Sequence, residues 1–203
     1  MSEYARSKHE GDRRAAELCK NHDLPLVMVF LAAVVGRGDP KSVMQIGKFV
    51  DGGVPMMIRS PNLFTYVDIA DAATAIVRAA EKKGNIGERY LVGSERLTTE
   101  DYFRTISRAS GKPMPTAFLG RSSALALSAL LTAGAAITRR PPLMLFDLMR
   151  TVFHGPLLFD GSRAARELGF AYRPIRESLA DAVVEVLEGR PDPSISRRKG
   201  RGG

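Results

Sequence analysis

The run from Leu24 to Val35, Leu-Pro-Leu-Val-Met-Val-Phe-Leu-Ala-Ala-Val-Val, constrains this chain more than any other segment. It is almost continuously apolar, too short to cross a bilayer, and bounded by turn formers: Asn21, His22 and Asp23 before it, and Gly36-Arg37-Gly38-Asp39-Pro40 after it. A strand with one wet face alternates apolar and polar residues, whereas a strand without alternation is covered on both faces, as in a parallel sheet. The pattern therefore predicts one parallel strand over 24–35, with Pro40 placed at the start of a helix over 41–51. A helical pattern from Ser2 to about His22 precedes it. An extended stretch through Met57, Ile58, Phe64, Tyr66 and Val67, a helix over 69–82, a strand over 88–92 and a helix starting at Leu97-Thr98-Thr99-Glu100-Asp101 follow. Thr98 or Thr99 is suited to cap that last helix, with acidic residues in its first turn. This alternation predicts an α/β fold. Beyond Gly111 no strand is expected. A linker over 113–121 and helices over 122–138, 143–153, 162–168 and 175–187 divide the chain into a sheet portion (1–111), a small, mainly helical lobe (112–188) and a Gly/Pro/Ser-rich, basic tail (189–203) that reads as disordered.

With 203 residues, 44% of them hydrophobic, the chain can build a sizeable core. The single cysteine, Cys19, excludes an internal disulfide, and His9, His22 and His154 are too scattered for a zinc site, so no metal is expected. Cysteine usage and the polar opening Met-Ser-Glu-Tyr-Ala-Arg-Ser-Lys point to a cytoplasmic setting. The net charge of +8 would suggest nucleic acid, but Arg197, Arg198, Lys199 and Arg201 concentrate in the tail and no basic stripe interleaves with aromatics; no nucleic-acid partner is expected. Leu125 to Ile137, followed by Arg139 and Arg140, reads as a helix packed in the lobe rather than on a membrane.

Tyr4-Ala5-Arg6-Ser7-Lys8 is the segment most suggestive of chemistry. Residues four apart share a helix face, so the Lys8 ammonium can sit below the Tyr4 phenol, favour the phenolate and bring the tyrosine into acid/base range. Such a pair suits proton transfer at a carbonyl or alcohol while a hydride moves to or from a cofactor. Other candidates have plainer readings. Asp68 and Asp71 fit a helix N-terminus, and His154 beside Gly155 and Pro156 fits a loop. Gly36-Arg37-Gly38 has Lys41 where a dinucleotide loop's third glycine belongs, and Gly47-Lys48 lacks the upstream glycine of a P-loop.

Five stretches, in order, carry a family resemblance. Tyr4-x-x-Ser7-Lys8-x-x-Gly11-Asp12, the strand and turn ending Val34-Val35-Gly36-Arg37-Gly38-Asp39, Phe64-Thr65-Tyr66-Val67-Asp68 with Ile69-Ala70-Asp71-Ala72, Gly87-Glu88-Arg89-Tyr90-Leu91-Val92-Gly93, and Asp160-x-Ser162-Arg163-Ala164-x-x-Glu167-Leu168-Gly169-Phe170 resemble the extended short-chain dehydrogenases/reductases, the NAD-dependent epimerase/dehydratase family. Dihydroflavonol-reductase-like and sugar-epimerase-like members look nearest. The resemblance implies the C-terminal part of a Rossmann-type parallel sheet followed by a small, mainly helical substrate lobe. It implies NAD or NADP as cofactor, Tyr4 as acid/base, Lys8 on the nicotinamide ribose, and Leu31, Ala32, Ala33 and Val34 beside the nicotinamide. The implied substrate is a small molecule: a sugar nucleotide, or a steroid-like or flavonoid-like alcohol or ketone. The family's glycine-rich phosphate loop has no counterpart in residues 1–203, so the cofactor site is expected to be incomplete and this polypeptide inactive by itself. A non-catalytic, partner-binding protein on the same scaffold stays open, as does a homodimer. A shortened parallel sheet is expected to expose an apolar edge.

Overall fold

The computed structural model describes residues 3–54, 56–138, 153 and 155–189. Helix α1 (Glu3–His22) leads into two short strands, β1 (Met28–Leu31) and β2 (Ala33–Val35), and then α2 (Pro40–Val50). Strands β3 (Met56–Ile58) and β4 (Leu63–Asp68) precede α3 (Ile69–Glu81), and β5 (Arg89–Val92) and β6 (Glu95–Thr98) precede α4 (Thr99–Ser110). Strand β7 (Ala117–Leu119), α5 (Arg121–Thr138), α6 (Ser162–Leu168) and α7 (Ile175–Glu188) follow. The expected helix over 143–153 lies outside the described residues apart from Phe153, as do His154, Arg139 and Arg140 and the tail from residue 190.

The helix starts follow from local chemistry. Asp39 accepts from Ser42 N–H with Pro40 in the first turn of α2, Asp68 accepts from Ala70 N–H at 2.7 Å, and Thr98 Oγ1 accepts from Asp101 N–H at 3.0 Å. Gly111 and Gly169 close α4 and α6 in the left-handed conformation.

The apolar run differs from its prediction in two ways. It is two strands rather than one. β1 pairs in parallel with β5 (Phe30↔Leu91), Ala32 N–H still donates to Val92 O at 2.8 Å, and β2 then pairs in parallel with β4 (Val34↔Val67). It is also less buried than expected. All four β1 residues are half-buried and Leu24 is 51% exposed. Among the described residues β1 has one strand neighbour, β5.

Strands also continue past Gly111, contrary to expectation. β7 pairs in parallel with β3 (Met57↔Phe118), and the Arg59 guanidinium lies 4.1 Å from the centre of the Phe118 ring. Three residues between Pro115 and Gly120 are too few for periodicity to reveal. β6, hidden by its charged Glu95 and Arg96, pairs antiparallel with β4 (Phe64↔Leu97).

Two cores form. The first joins α2, α4 and α7 through Ile46, Phe49, Tyr102, Ile106, Leu179 and Val183, with Phe49 stacked on Phe103 at 5.5 Å and Tyr66 on Tyr102 at 5.2 Å. The second joins the β1, β4 and β5 strands to α3 and α6. Ala72, Ala75 and Ala79 make the inner face of α3 smooth enough to lie close to Val67, Tyr90 and Val92. The last helix thus packs on elements from the first half of the chain. Leu179→Ala, which empties a fully buried position, is expected to cost about 2–5 kcal/mol in urea denaturation, while Ile76→Ala, 47% exposed on α3, changes stability by less than about 0.5 kcal/mol.

Candidate functional site

In open α/β sheets ligands bind outside the carboxyl ends of parallel strands. Here those ends are Leu31 to Val35, Asp68, and Val92 with Gly93. Leu31 is half-buried against the second core, Ala32 is buried, Ala33 is exposed and Val34 is half-buried. Ala33 is thus the exposed position of this stretch.

A tight contact backs that surface. A Cβ on Gly93 would lie 2.7 Å from Thr65 Cγ2 and 3.1 Å from the Cβ atoms of Ala32 and Phe159. A Cβ on Gly161 would overlap Gly93 O and the Tyr172 hydroxyl. Tyr172 Oη accepts from Gly93 N–H at 3.3 Å and donates to Gly161 O at 3.1 Å. Thr65 Oγ1 donates to Leu157 O at 3.2 Å and accepts from Phe159 N–H at 2.9 Å. The segment 155–161 thereby runs beside the first half of β4, where Leu157 N–H donates to Leu63 O and Thr65 N–H to Leu157 O at 3.0 Å each, and passes the end of β5 at Gly93. Thr65 and Gly93 lie in stretches that carry the family resemblance, but nothing in the sequence pointed to their pairing with Leu157, Phe159, Gly161 and Tyr172.

Helix α1 runs antiparallel to β1. Near its end Cys19 and Lys20 line a groove with Leu24, Leu26 and Met28; farther back, Ala16, Arg13, Asp12 and His9 line an open groove of about 490 Å³ with Phe30 and Arg89. Moving from Cys19 to His9 along the helix therefore means moving from the start of β1 towards its carboxyl end, where Leu31 to Val34 stand. Lys8 is the next residue along, and its side chain is exposed. The backbone of Tyr4 belongs to α1, one turn beyond Lys8, and its side chain lies outside the described residues. No described side chain of α1 is fully buried. An ion network stiffens its surface instead: Arg13 meets Glu10 at 2.8 Å and Glu17 at 2.6 Å, and Arg14 meets Glu10 at 2.9 Å. Hydrogen bonds from Arg13 and then Arg14 hold the Glu10 carboxyl down at about 2.

Asp68 and Asp71 behave as a helix N-terminus, as their spacing predicted. Asp68 caps α3, and Asp71 Oδ2 accepts from Arg173 N–H at 2.7 Å. Burial raises Asp71 above the usual carboxylate range, against the lowering effect of that hydrogen bond. The Arg173 guanidinium is engaged by Asp181 at 2.7 Å. Tyr66, pushed up to about 12 by burial, and Tyr102, raised further for the same reason, stay neutral in the core. Among the described residues no three His, Cys, Asp or Glu side chains converge to hold a metal, and no helix is long and apolar enough to cross a membrane.

Comparison with known proteins places this geometry. Residues 1–93 match the model of the NAD dependent epimerase/dehydratase family. Sterol demethylase protein B of Methylococcus capsulatus is 30% identical over 81% of this chain and 51% of its own length. A nucleoside-diphosphate-sugar epimerase from Pseudomonas aeruginosa superposes with a TM-score of 0.69 and 27% identity, over 93% of this chain and 56% of that one. UDP-glucuronic acid 4-epimerase from Bacillus cereus, solved with UDP-glucuronic acid and NAD, superposes with a TM-score of 0.65 and 19% identity, over 91% of this chain and 52% of that one. The chain thus spans about half the length of these relatives, and its α/β fold is of their Rossmann type. Because a Cβ on Gly161 would overlap Gly93 O and the Tyr172 hydroxyl, Gly161→Ala is expected to destabilise by at least about 1–3 kcal/mol, whereas Gly11→Ala, in open space on α1, does not destabilise; thermal unfolding of the two variants checks both.

Proposed function

We propose that this chain, whose residues 1–93 match the model of the NAD dependent epimerase/dehydratase family, carries the proton-transfer and substrate-side portion of an enzyme acting on an alcohol or ketone with NAD or NADP. The observation that supports the reading best is the antiparallel course of α1 along β1, which directs the Tyr4–Lys8 end of the helix towards Leu31 to Val34. By spacing, positions 4, 8, 12, 16 and 19 form one helix stripe, and Asp12, Ala16 and Cys19 of that stripe line the grooves against β1.

The residues present suit the nicotinamide end of such a cofactor. Ala32 and Ala33 leave room for a flat ring against the backbone, and Lys8 offers an ammonium for the ribose hydroxyls. Bound NAD(P) supplies or accepts the hydride. Tyr4 gives its proton to a ketone oxygen in reduction, or takes one from a hydroxyl in oxidation, and Lys8 favours the phenolate by its charge. Loop 36–39 and α5, the first helix after β7, face the substrate. The substrate is a small molecule, a sugar nucleotide or a steroid-like or flavonoid-like alcohol or ketone. A second reading, a partner-binding protein on this scaffold, is favoured by a β1 with one strand neighbour among the described residues and by an α1 without a fully buried described side chain.

Alkaline titration of tyrosinate absorbance tests the Tyr4–Lys8 pair without any ligand. The chain has five tyrosines and no tryptophan. Burial raises Tyr66, Tyr90, Tyr102 and Tyr172 above their usual value. Tyr4 is expected to ionise first, below about 10, with that step absent in Tyr4→Phe and shifted upward in Lys8→Ala. A first step that survives in Tyr4→Phe refutes the pairing. Because the other four titrate higher folded than unfolded, stability is expected to hold below about pH 10 and to fall as pH rises beyond it. Calorimetric titration with NADH and NADPH is expected to show binding that weakens roughly tenfold in Lys8→Ala. A folded chain that binds neither cofactor points to the partner-binding reading.

A further inference from the structure

The loop that joins β2 to α2 is held from a distance. Two of its four residues, Gly36 at φ +135° and Gly38 at φ +85°, adopt backbone conformations that L side chains rarely take. Gly36 is wedged in place, since a Cβ there would stand 3.1 Å from Ile69 Cγ2 and 3.2 Å from Asp68 Oδ2. Gly38 has no such packing, with nothing within 4 Å of where its Cβ would be. Asp39 is committed locally: its side chain accepts from Ser42 N–H at 2.7 Å and its own N–H donates to Gly36 O at 3.2 Å. What ties Gly38 is a carboxylate from the far end of the chain. Its N–H donates to Glu185 Oε2, in the last turns of α7, at 2.7 Å. Beside it Arg37 Nη2 meets Glu188 Oε2 at 3.0 Å.

The two contacts differ in weight. The Arg37–Glu188 pair is exposed at both ends, 58% on each side, and such pairs contribute little. The Glu185 bond is also open to solvent on the Gly38 side, but it is short and charge-assisted and comes from a partly buried side chain. Its helix is also rigidly seated, because Leu179, Ala182 and Val183 on the same α7 lie in the first core. A carboxylate on a seated helix thus holds the amide of the loop glycine that has no packing of its own.

We propose that Glu185 is a positioning residue for this loop. Among the conformations that two glycines permit, its carboxylate selects the one that carries residues 36–39 past the carboxyl end of β2, where they continue the wall formed by Leu31 to Val34 and border the nicotinamide as well as the substrate. The inference rests on the reading of Leu31 to Val34 as the cofactor side. It also assigns α7, which touches no proposed catalytic residue, a part in the site.

Hydrogen exchange at the Gly38 amide, followed by NMR on the full chain, is the direct readout, with dinucleotide titration and denaturant midpoint measured on the same samples. Glu185→Ala is expected to speed Gly38 exchange on the order of tenfold or more, with the denaturant midpoint little changed and dinucleotide affinity reduced. Glu185→Gln, which keeps a carbonyl acceptor, is expected to restore most of the protection, and Glu188→Ala to stay close to the parent. Equal Gly38 exchange in the parent and Glu185→Ala overturns the proposal, and so does faster exchange with unaltered dinucleotide affinity. A parent chain that binds no dinucleotide while the exchange pattern holds sinks the cofactor reading and leaves the loop tie standing.

Discussion

The backbone of residues 28–35 hydrogen-bonds to two strands in succession, and the rest of the molecule is arranged around that change of neighbour. Through Ala32 it follows β5; from Ala33 it follows β4. A strand that stayed with β5 would leave β4 without its parallel partner and would send Gly36 away from the N-terminus of α3. Because the switch occurs, Gly36 packs on Ile69 and Asp68, and α2 starts where its apolar face meets α4 and α7. Ala32 can sit at the switch because it is small: it lies so close to Gly93 that a Cβ there would stand 3.1 Å from its own.

Much of this was legible in the chain, where local chemistry decides. Asp39 with Pro40, Asp68, and Thr98 with Asp101 mark helix starts, and all three cap as their residue types demand. The α/β class followed from the alternation of segments. What was not legible depends on contacts across the chain. β6 and β7 are short, and their identity comes from pairing with β4 and β3 rather than from their own patterns. The half-exposure of β1 is a property of its neighbours, so an apolar run by itself overstated its burial. The candidate site divides in the same way. Tyr4, Lys8 and Leu31 to Val34 carry a motif; the Tyr172 bridge between Gly93 and Gly161, and the tie from Glu185 to Gly38, join residues far apart in sequence and leave no pattern behind.

Charge is handled locally despite the net excess of cations. Arg13, Arg163 and Arg173 each meet two or more carboxylates: Glu10 and Glu17; Glu88 and Glu167; Glu177, Asp181 and Asp68. Their side chains are all more than a third exposed, so these clusters order the surface more than they stabilise the fold. Arg173 is the exception in kind rather than in strength. Its backbone N–H, bound by Asp71, fixes the turn into α7 against the start of α3.

The place of α7 at the end of the described chain has a consequence for how the molecule assembles. Ile175, Leu179, Ala182 and Val183 complete a core whose other members, from Val35 to Ile106, come much earlier. Contacts of such long sequence separation slow folding, because loop closure precedes the reward. During synthesis the apolar faces of α2 and α4 emerge long before the helix that covers them. Between the emergence of α4 and that of α7 a nascent chain therefore carries an open hydrophobic groove, a state in which chaperones and aggregation compete for the same surface.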